Sequence, residues 1–402
     1  MIARVLGPPG LLVTAVLSVS AARAGVWGTD PSMGLSADYA SNPLLLELPH
    51  TSETNAAVLL DAPTSFTGNA FQLTIDPSFR ISDTSSYDSV NSDYDHLTVR
   101  GEYDTDLNKV AVSGGLSRDS SLYQNYLVNG ESGVRRDGIL ADMNWERHLT
   151  ERLDFTTDLD ATRVRYDEGS GPQVLVDYDY ATLSPTLTWS ATERTKLNLS
   201  VQAGLYKSLD GDTRSESANA QIGVTTKLNE LWTLTASGGY STARNRLNLL
   251  EPLLVLTPDG LEIEYLPLHL DSSQNSSVFS VSIVRVAQRL NLSASASRQE
   301  VPTGFSYLSR QDIFQFTADY TLTPRWSVGA GDWYLKSLDP GAEGTTFDRN
   351  LNSFSARANW QWTEHWTLAV SMSHVTENEV GQRLKSNQVA LTVMRQFNHI
   401  SF

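Results

Sequence analysis

Five carboxylates, Asp142, Glu146, Asp154, Asp158 and Asp160, crowd the stretch 142–160, and all five sit in the polar phase of an alternating pattern. Arg80 and Arg100 hold the same phase in an earlier pair of segments. Carboxylates gathered on a wet wall favour cations by electrostatics, and a basic patch at the same depth would add a transverse field. The plainer reading is a solvated polar wall with acids interspersed. Catalytic chemistry has weaker support. Of the seven histidines, His96 alone takes the polar phase of a strand, and no serine–acid arrangement accompanies it. HExxH, a Gly-rich phosphate loop and GxSxG are all missing. Asp210-Gly211-Asp212 and Asp339-Pro340-Gly341 have the composition of turns rather than calcium loops. With no cysteine, disulfides, thiolate metal sites and cysteine nucleophiles are excluded. The expectation is a non-enzyme with no metal and no cofactor. A net charge of −16 without a basic cluster argues against nucleic acid.

The elements that must position these groups are strands. Phe71, Leu73, Ile75, Phe79 and Ile81 alternate with Gln72, Thr74, Asp76, Arg80 and Ser82. Leu197, Leu199 and Val201 alternate with Asn198, Ser200 and Gln202, and Trp366, Leu368, Val370 and Met372 with small polar residues. Period two with one apolar face marks half-buried strands. About eighteen such strands, within a range of 16–20, run from near 32–41 to near 387–397. Short connections alternate with longer ones such as 118–136, 167–177, 244–273 and 337–350. Short turns at one end and long loops at the other are the plan of a transmembrane antiparallel up-and-down barrel, an all-β fold. A water-soluble barrel or sandwich would show no such polarity.

The short turns share a frame: a small or turn-forming residue, two mostly polar ones, then a large apolar residue that restarts the strand. Thr192-Glu193-Arg194-Thr195, Thr323-Pro324-Arg325-Trp326 and Thr363-Glu364-His365-Trp366 are examples. Seven tryptophans, Trp145, Trp189, Trp232, Trp326, Trp360, Trp362 and Trp366, lie within a few residues of such turns, all in the apolar phase. Rings at one end of the strands fit an interfacial girdle, which a sandwich core would not explain. Tyr103 and Tyr320 extend it.

The chain opens with Arg4, an interrupted apolar run over 11–21 and Ala22-Arg23-Ala24. A basic start, a short apolar segment and an A-x-A site read as a secretory signal peptide over 1–24, followed by one domain over 25–402. The run is too short for a membrane-spanning helix. Near the other end Val389, Leu391, Val393, Arg395 and Phe397 alternate, and the chain closes on Phe402. This resembles the C-terminal assembly signal of outer-membrane barrels, here split into a strand to Phe397 and a short tail. Together these features resemble the porin-like β-barrels of Gram-negative outer membranes. That resemblance implies a channel for small hydrophilic solutes, exported by the general secretory pathway. Its implied partners are outer-membrane lipid, lipopolysaccharide and the barrel assembly machinery. GLSADYASNPLL, residues 34–45, also resembles the first strand and loop of barrels associated with exopolysaccharide export and exosortase systems, which implies export components as partners. Two segments are apolar for outer loops: NPLLLELP over 42–49, and the leucine-rich part of 244–273. Exposed apolar patches mean contact, so they are expected to fold into the lumen, to meet a partner or an apolar ligand, or to form a further strand pair.

Overall fold

The computed structural model describes residues 25–43, 45, 52–84, 94–120, 135–167, 175–211, 213–257, 260–302, 308–338, 348–379 and 382–401, with 247–270 described as backbone only. The segment read as a signal peptide lies outside them. The chain forms one antiparallel sheet closed into a barrel of 18 staves. These are β1 (Val26–Thr29 with Ser32–Ala40), β2 (Glu53–Asp61 with Thr64–Thr67), β3 (Phe71–Thr84), β4 (Tyr94–Asp104), β5 (Asn108–Ser120) and β6 (Arg135–Thr150). Then come β7 (Leu153–Tyr166), β8 (Tyr178–Ser190), β9 (Thr195–Ser208), β10 (Thr213–Lys227), β11 (Trp232–Thr257) and β12 (Gly260–Arg285). The last six are β13 (Leu290–Pro302), β14 (Leu308–Thr323), β15 (Trp326–Leu338), β16 (Asp348–Gln361), β17 (Trp366–Glu379) and β18 (Gln382–Gln396 with Ile400–Ser401).

Consecutive staves pair, and β18 closes on β1 from Ser32↔Gln396 to Ala40↔Gln388. β1 and β2 are interrupted at 30–31 and 62–63 without losing register, since Val26↔Thr67 and Ser32↔Asp61 belong to one ladder. Pro31 and Pro63 account for both breaks, because proline offers the ladder no N–H. β18 is interrupted at 397–399 and resumes one residue out of step, at Gly28↔Ser401, as a bulge does. The short tail expected after Phe397 is therefore the last piece of the closing stave.

Eight short connections share one rim with both ends of the barrel chain. Their common frame has a local cause. The Thr323 hydroxyl accepts from the backbone N–H groups of Arg325 and Trp326, and Thr363 does the same for His365 and Trp366. Thr192 does so for Arg194 and Thr195, and the Asn229 side chain for Leu231 and Trp232. Each side chain satisfies the donors that the turn frees. The opposite rim is less uniform than its composition suggests. The connections at 41–52 and 121–134 are long, but only residues 258–259 separate β11 from β12.

The segment 244–273, expected as a loop, is paired throughout from Arg244↔Ser273 to Thr257↔Gly260. It lengthens two expected strands to 26 residues each and adds no further pair. The leucines that look excessive for a loop suit a ladder. β10 follows β11 only to Leu247. Beyond that, among the described residues, the two strands pair only with each other, a ribbon of about ten residue pairs and roughly 33 Å.

Alternate residues face outward, and many are large, apolar and exposed, among them Val201, Ile222, Tyr240, Phe316, Phe354 and Met372. A continuous exposed belt of this kind needs an apolar surrounding. At the short-turn rim it ends in aromatic rings. Trp326 stacks on Trp360 at 5.5 Å and Trp360 on Trp362 at 6.2 Å. Trp145 meets Phe155 edge-on, and the Arg395 guanidinium lies over Trp366 and Phe397. Trp189 and Trp232 hold the same end of β8 and β11. Trp27, which the sequence reading did not include, joins this girdle through Phe66 at 5.2 Å. At the other edge the outward phase turns charged, in cross-strand pairs: Arg118–Asp137, Arg163–Asp179 and Arg298–Asp312, each held by two hydrogen bonds of 2.5–2.8 Å. From Tyr320 to Asp312, β14 rises about 26 Å, or about 20 Å once tilted, close to the roughly 25 Å apolar band of a transmembrane barrel.

Candidate functional site

The inward phase lines a lumen whose two halves differ. In the half next to the short turns the five carboxylates form one column on β6 and β7. Asp142 registers with Asp160, Asn144 with Asp158, and His148 with Asp154. Most of their partners are neutral. Ser113 donates to Asp142, Asn144 to Asp158 at 2.6 Å, and Thr182 to Asp160 at 3.0 Å. Hydrogen bonds of this kind orient the carboxylates without cancelling their charge. The exception is Asp154, 2.7 Å from His148 Nδ1 beyond the Trp145 girdle. That hydrogen bond, with the acidic surroundings, holds the imidazole pKa above its ordinary value. Glu146, His148 and Asp154 each offer one ligand atom within 4.8 Å of the others. The imidazole is exposed and already bonded to Asp154, while the two carboxylates are half-buried.

The two arginines are not brought together. Arg80 registers with Tyr94 and Arg100 with Thr74, six residues apart along the sheet and about 20 Å. Each faces a carboxylate: Arg80 meets Asp38 at 2.9 Å, and Arg100 meets Glu102 at 2.8 Å. The column is thus the unbalanced charge of this wall and the arginines belong to ion pairs. His96 bonds Thr98 and stacks on Tyr94, while Ser78, in register with it, gives its hydroxyl to Asp61. A histidine and a serine with those partners do not form a base–nucleophile pair. Of the assembly-signal residues, Phe397 lies at the rim under Arg395, and Phe402 is outside the described residues.

At the level of the outward charged border the lumen is packed. Two clusters do this. Leu45, from the connection after β1, lies against Leu335 and Leu351, with Trp333, Val375 and Leu384 around them. Leu45 has φ 51°, a conformation that costs a leucine about 1–2 kcal/mol. Its burial returns about 1.5–3 kcal/mol. Of the apolar segment 42–49, Asn42 and Leu45 are both buried, while 44 and 46–49 lie outside the described residues.

The second cluster comes from β13 and β14. Their ladder continues to Pro302↔Leu308, but among the described residues β12 pairs with β13 only from Arg285 to Phe279↔Arg298. Above that point the hairpin parts from β12 and bends into the lumen, with β14 still paired to β15 up to Arg310↔Leu338. Leu308, which the alternation puts on the outward phase, packs against the inward Val164, Tyr178 and Tyr206 of β7, β8 and β9. Glu300, also outward by phase, accepts hydrogen bonds from the inward Ser241 of β11 at 2.9 Å and Ser276 of β12 at 3.2 Å. Tyr206, Leu335 and Leu351 are 0% exposed inside the barrel. Alternation could not reveal this closure, because it assigns Glu300 and Leu308 to the outside. The register break that brings them in depends on long-range pairing.

No protein-family model and no curated protein matches the chain. Among solved structures it is similar to the unliganded ferric citrate transporter FecA, at 10% identity over 87% of this chain and 60% of that one, with a TM-score of 0.47. It is similar to Pseudomonas aeruginosa OpdK solved with vanillate, at 11% identity over 93% and 99%, with a TM-score of 0.46. It is also similar to the copper transporter OprC, at 14% identity over 89% and 64%, with a TM-score of 0.48. The chain thus spans less than two thirds of FecA and of OprC. Likenesses this distant carry no argument here, and the barrel rests on its own strand pairing.

Proposed function

We propose that the barrel sits in a Gram-negative outer membrane, reached by secretory export, and passes small hydrophilic solutes with a preference for cations. The observation that carries this is the pairing of two opposite surfaces on the same strands. An exposed apolar belt lies between aromatic and charged edges outside, and a polar wall with an unbalanced acidic column lies inside. A barrel of this strand number is wide enough for water unless something fills it. The headgroups of lipid and lipopolysaccharide would meet the charged edge, and the barrel assembly machinery would insert the chain. Single-channel recording in a planar bilayer tests the reading. Discrete openings, with a reversal potential of cation sign in a salt gradient, are the expected result. Anion selectivity would remove the role given to the column. A second reading is supported by the packed outer layer: an accessory barrel of a polysaccharide export assembly that does not conduct alone. A silent bilayer under all conditions, with co-purifying export components, would favour it.

A further inference from the structure

We infer that the β13–β14 hairpin is a gate with two positions, and that the ladder between β12 and β13 is the zipper that opens it. The gating half of this inference rests on the channel reading, while the hairpin swing stands apart from it. In the closed position, Glu300 is latched to Ser241 and Ser276, and Leu308 is seated on Val164, Tyr178 and Tyr206. This position leaves two things unsatisfied. The edge of β12 over 271–278 has β11 on one side and, among the described residues, no ladder partner on the other. The Arg310 Nε is buried without a hydrogen-bond partner. A guanidinium donor withheld from water is costly, and an open strand edge is a ready template for another strand.

Both are relieved by a single motion. Continuing the existing register upward from Phe279↔Arg298 places Gln299 opposite Val278, Glu300 opposite Ser277, Val301 opposite Ser276 and Pro302 opposite Asn275. Zipping these residues brings the hairpin back against β12, and the top of β15, paired to β14 up to Arg310↔Leu338, moves with it. It also carries Glu300 and Arg310, already cross-strand partners, to the outward surface, where both are hydrated. The Tyr178–Tyr206 wall then loses Leu308, and the mouth opens on the β7–β12 side. The closed position keeps apolar packing and the Glu300 latch; the open one keeps the backbone ladder. An element with two such discrete arrangements is what a switch requires.

The chain has no cysteine, so engineered thiols report without background. Ser276 faces the lumen and Ser277 faces outward, so a link from position 300 to one or the other reads the position of the hairpin. The double variant Ser276→Cys with Glu300→Cys, joined by a short thiol cross-linker, is expected to lower conductance by about tenfold or more, reversibly on reduction. Ser277→Cys with Glu300→Cys is expected to link as well, and to hold conductance above that of the reduced protein. Single-cysteine variants given the same reagent control for folding. Failure of the 277–300 link while the 276–300 link forms overturns the gate. So does conductance that ignores both links. If the 277–300 link forms but no species conducts, the swing stands and the channel reading fails.

Discussion

Strand β16 carries two arginines that face the lumen, Arg349 and Arg357; the first is paired with a carboxylate on the adjacent β17, and the second reaches across Gly329 of β15 to a carboxylate on β14. Arg349 meets Glu377 inside the packed outer layer, with side chains 10% and 4% exposed. Arg357 meets Asp319 at 2.5 Å in the open half, with side chains 59% and 41% exposed. The same chemistry on the same strand, about 26 Å apart, falls under opposite rules. The buried pair has surrendered its hydration and depends on its partner. The exposed pair exchanges one hydrated state for another and gains little. The barrel is therefore two materials end to end: an outer layer that behaves as a protein core, and an inner vestibule that behaves as a wet surface.

Four measurements would break or sharpen this contrast. Glu377→Gln leaves a buried guanidinium without its counter-charge and is expected to cost about 3–5 kcal/mol in denaturant unfolding of the lipid-inserted barrel. Asp319→Asn is expected to cost less than about 1 kcal/mol. Equal costs would mean that the two halves are alike. Next, Leu335→Ala or Leu351→Ala should destabilise by about 2–5 kcal/mol through a cavity, whereas Asn359→Ala in the vestibule should stay within about 0.5 kcal/mol. Third, Asp158→Asn combined with Asp160→Asn should lower the cation-to-anion permeability ratio about twofold, the size of a screened interaction across water. A ratio that does not move would assign selectivity to the outer layer. The smallest effect concerns His148. By nuclear magnetic resonance its imidazole should titrate above the ordinary 6.5 and return toward it in Asp154→Asn. The bonded, charged form is favoured in the fold, so this contact strengthens as pH falls and is lost as pH rises through the raised value.

Much of the vestibule was legible in the sequence. Its strands alternate regularly away from the turn ends, so the phase of Asp142 or Arg357 follows by counting from an outward leucine of the same strand. Turn residues such as Thr323 act through their nearest neighbours, which is why the hairpin frame and the tryptophan girdle could be read from short words. The outer layer was not legible in this way. Leu308 and Glu300 obey the alternation of their own strand and still face inward, because the ladder beneath them stops. That stop is a property of two strands, not one. The leucines of 244–273 misled for a different reason. Loop and extended ladder share a composition when a strand outruns its neighbours.

The ribbon at the top of β11 and β12 has a mechanical consequence. β12 is one uninterrupted strand from Gly260 to Arg285. Its upper part is the ribbon, its middle carries Ser276 and the edge that has no ladder partner among the described residues, and its lower part is a stave of the wall. A load on the ribbon travels down a stiff rod to the very residues that hold Glu300. A two-stranded arm of roughly 33 Å, acting on a seam a few residues long, has the proportions of a crowbar. Whatever grips the ribbon has leverage on the mouth of the barrel without ever entering it.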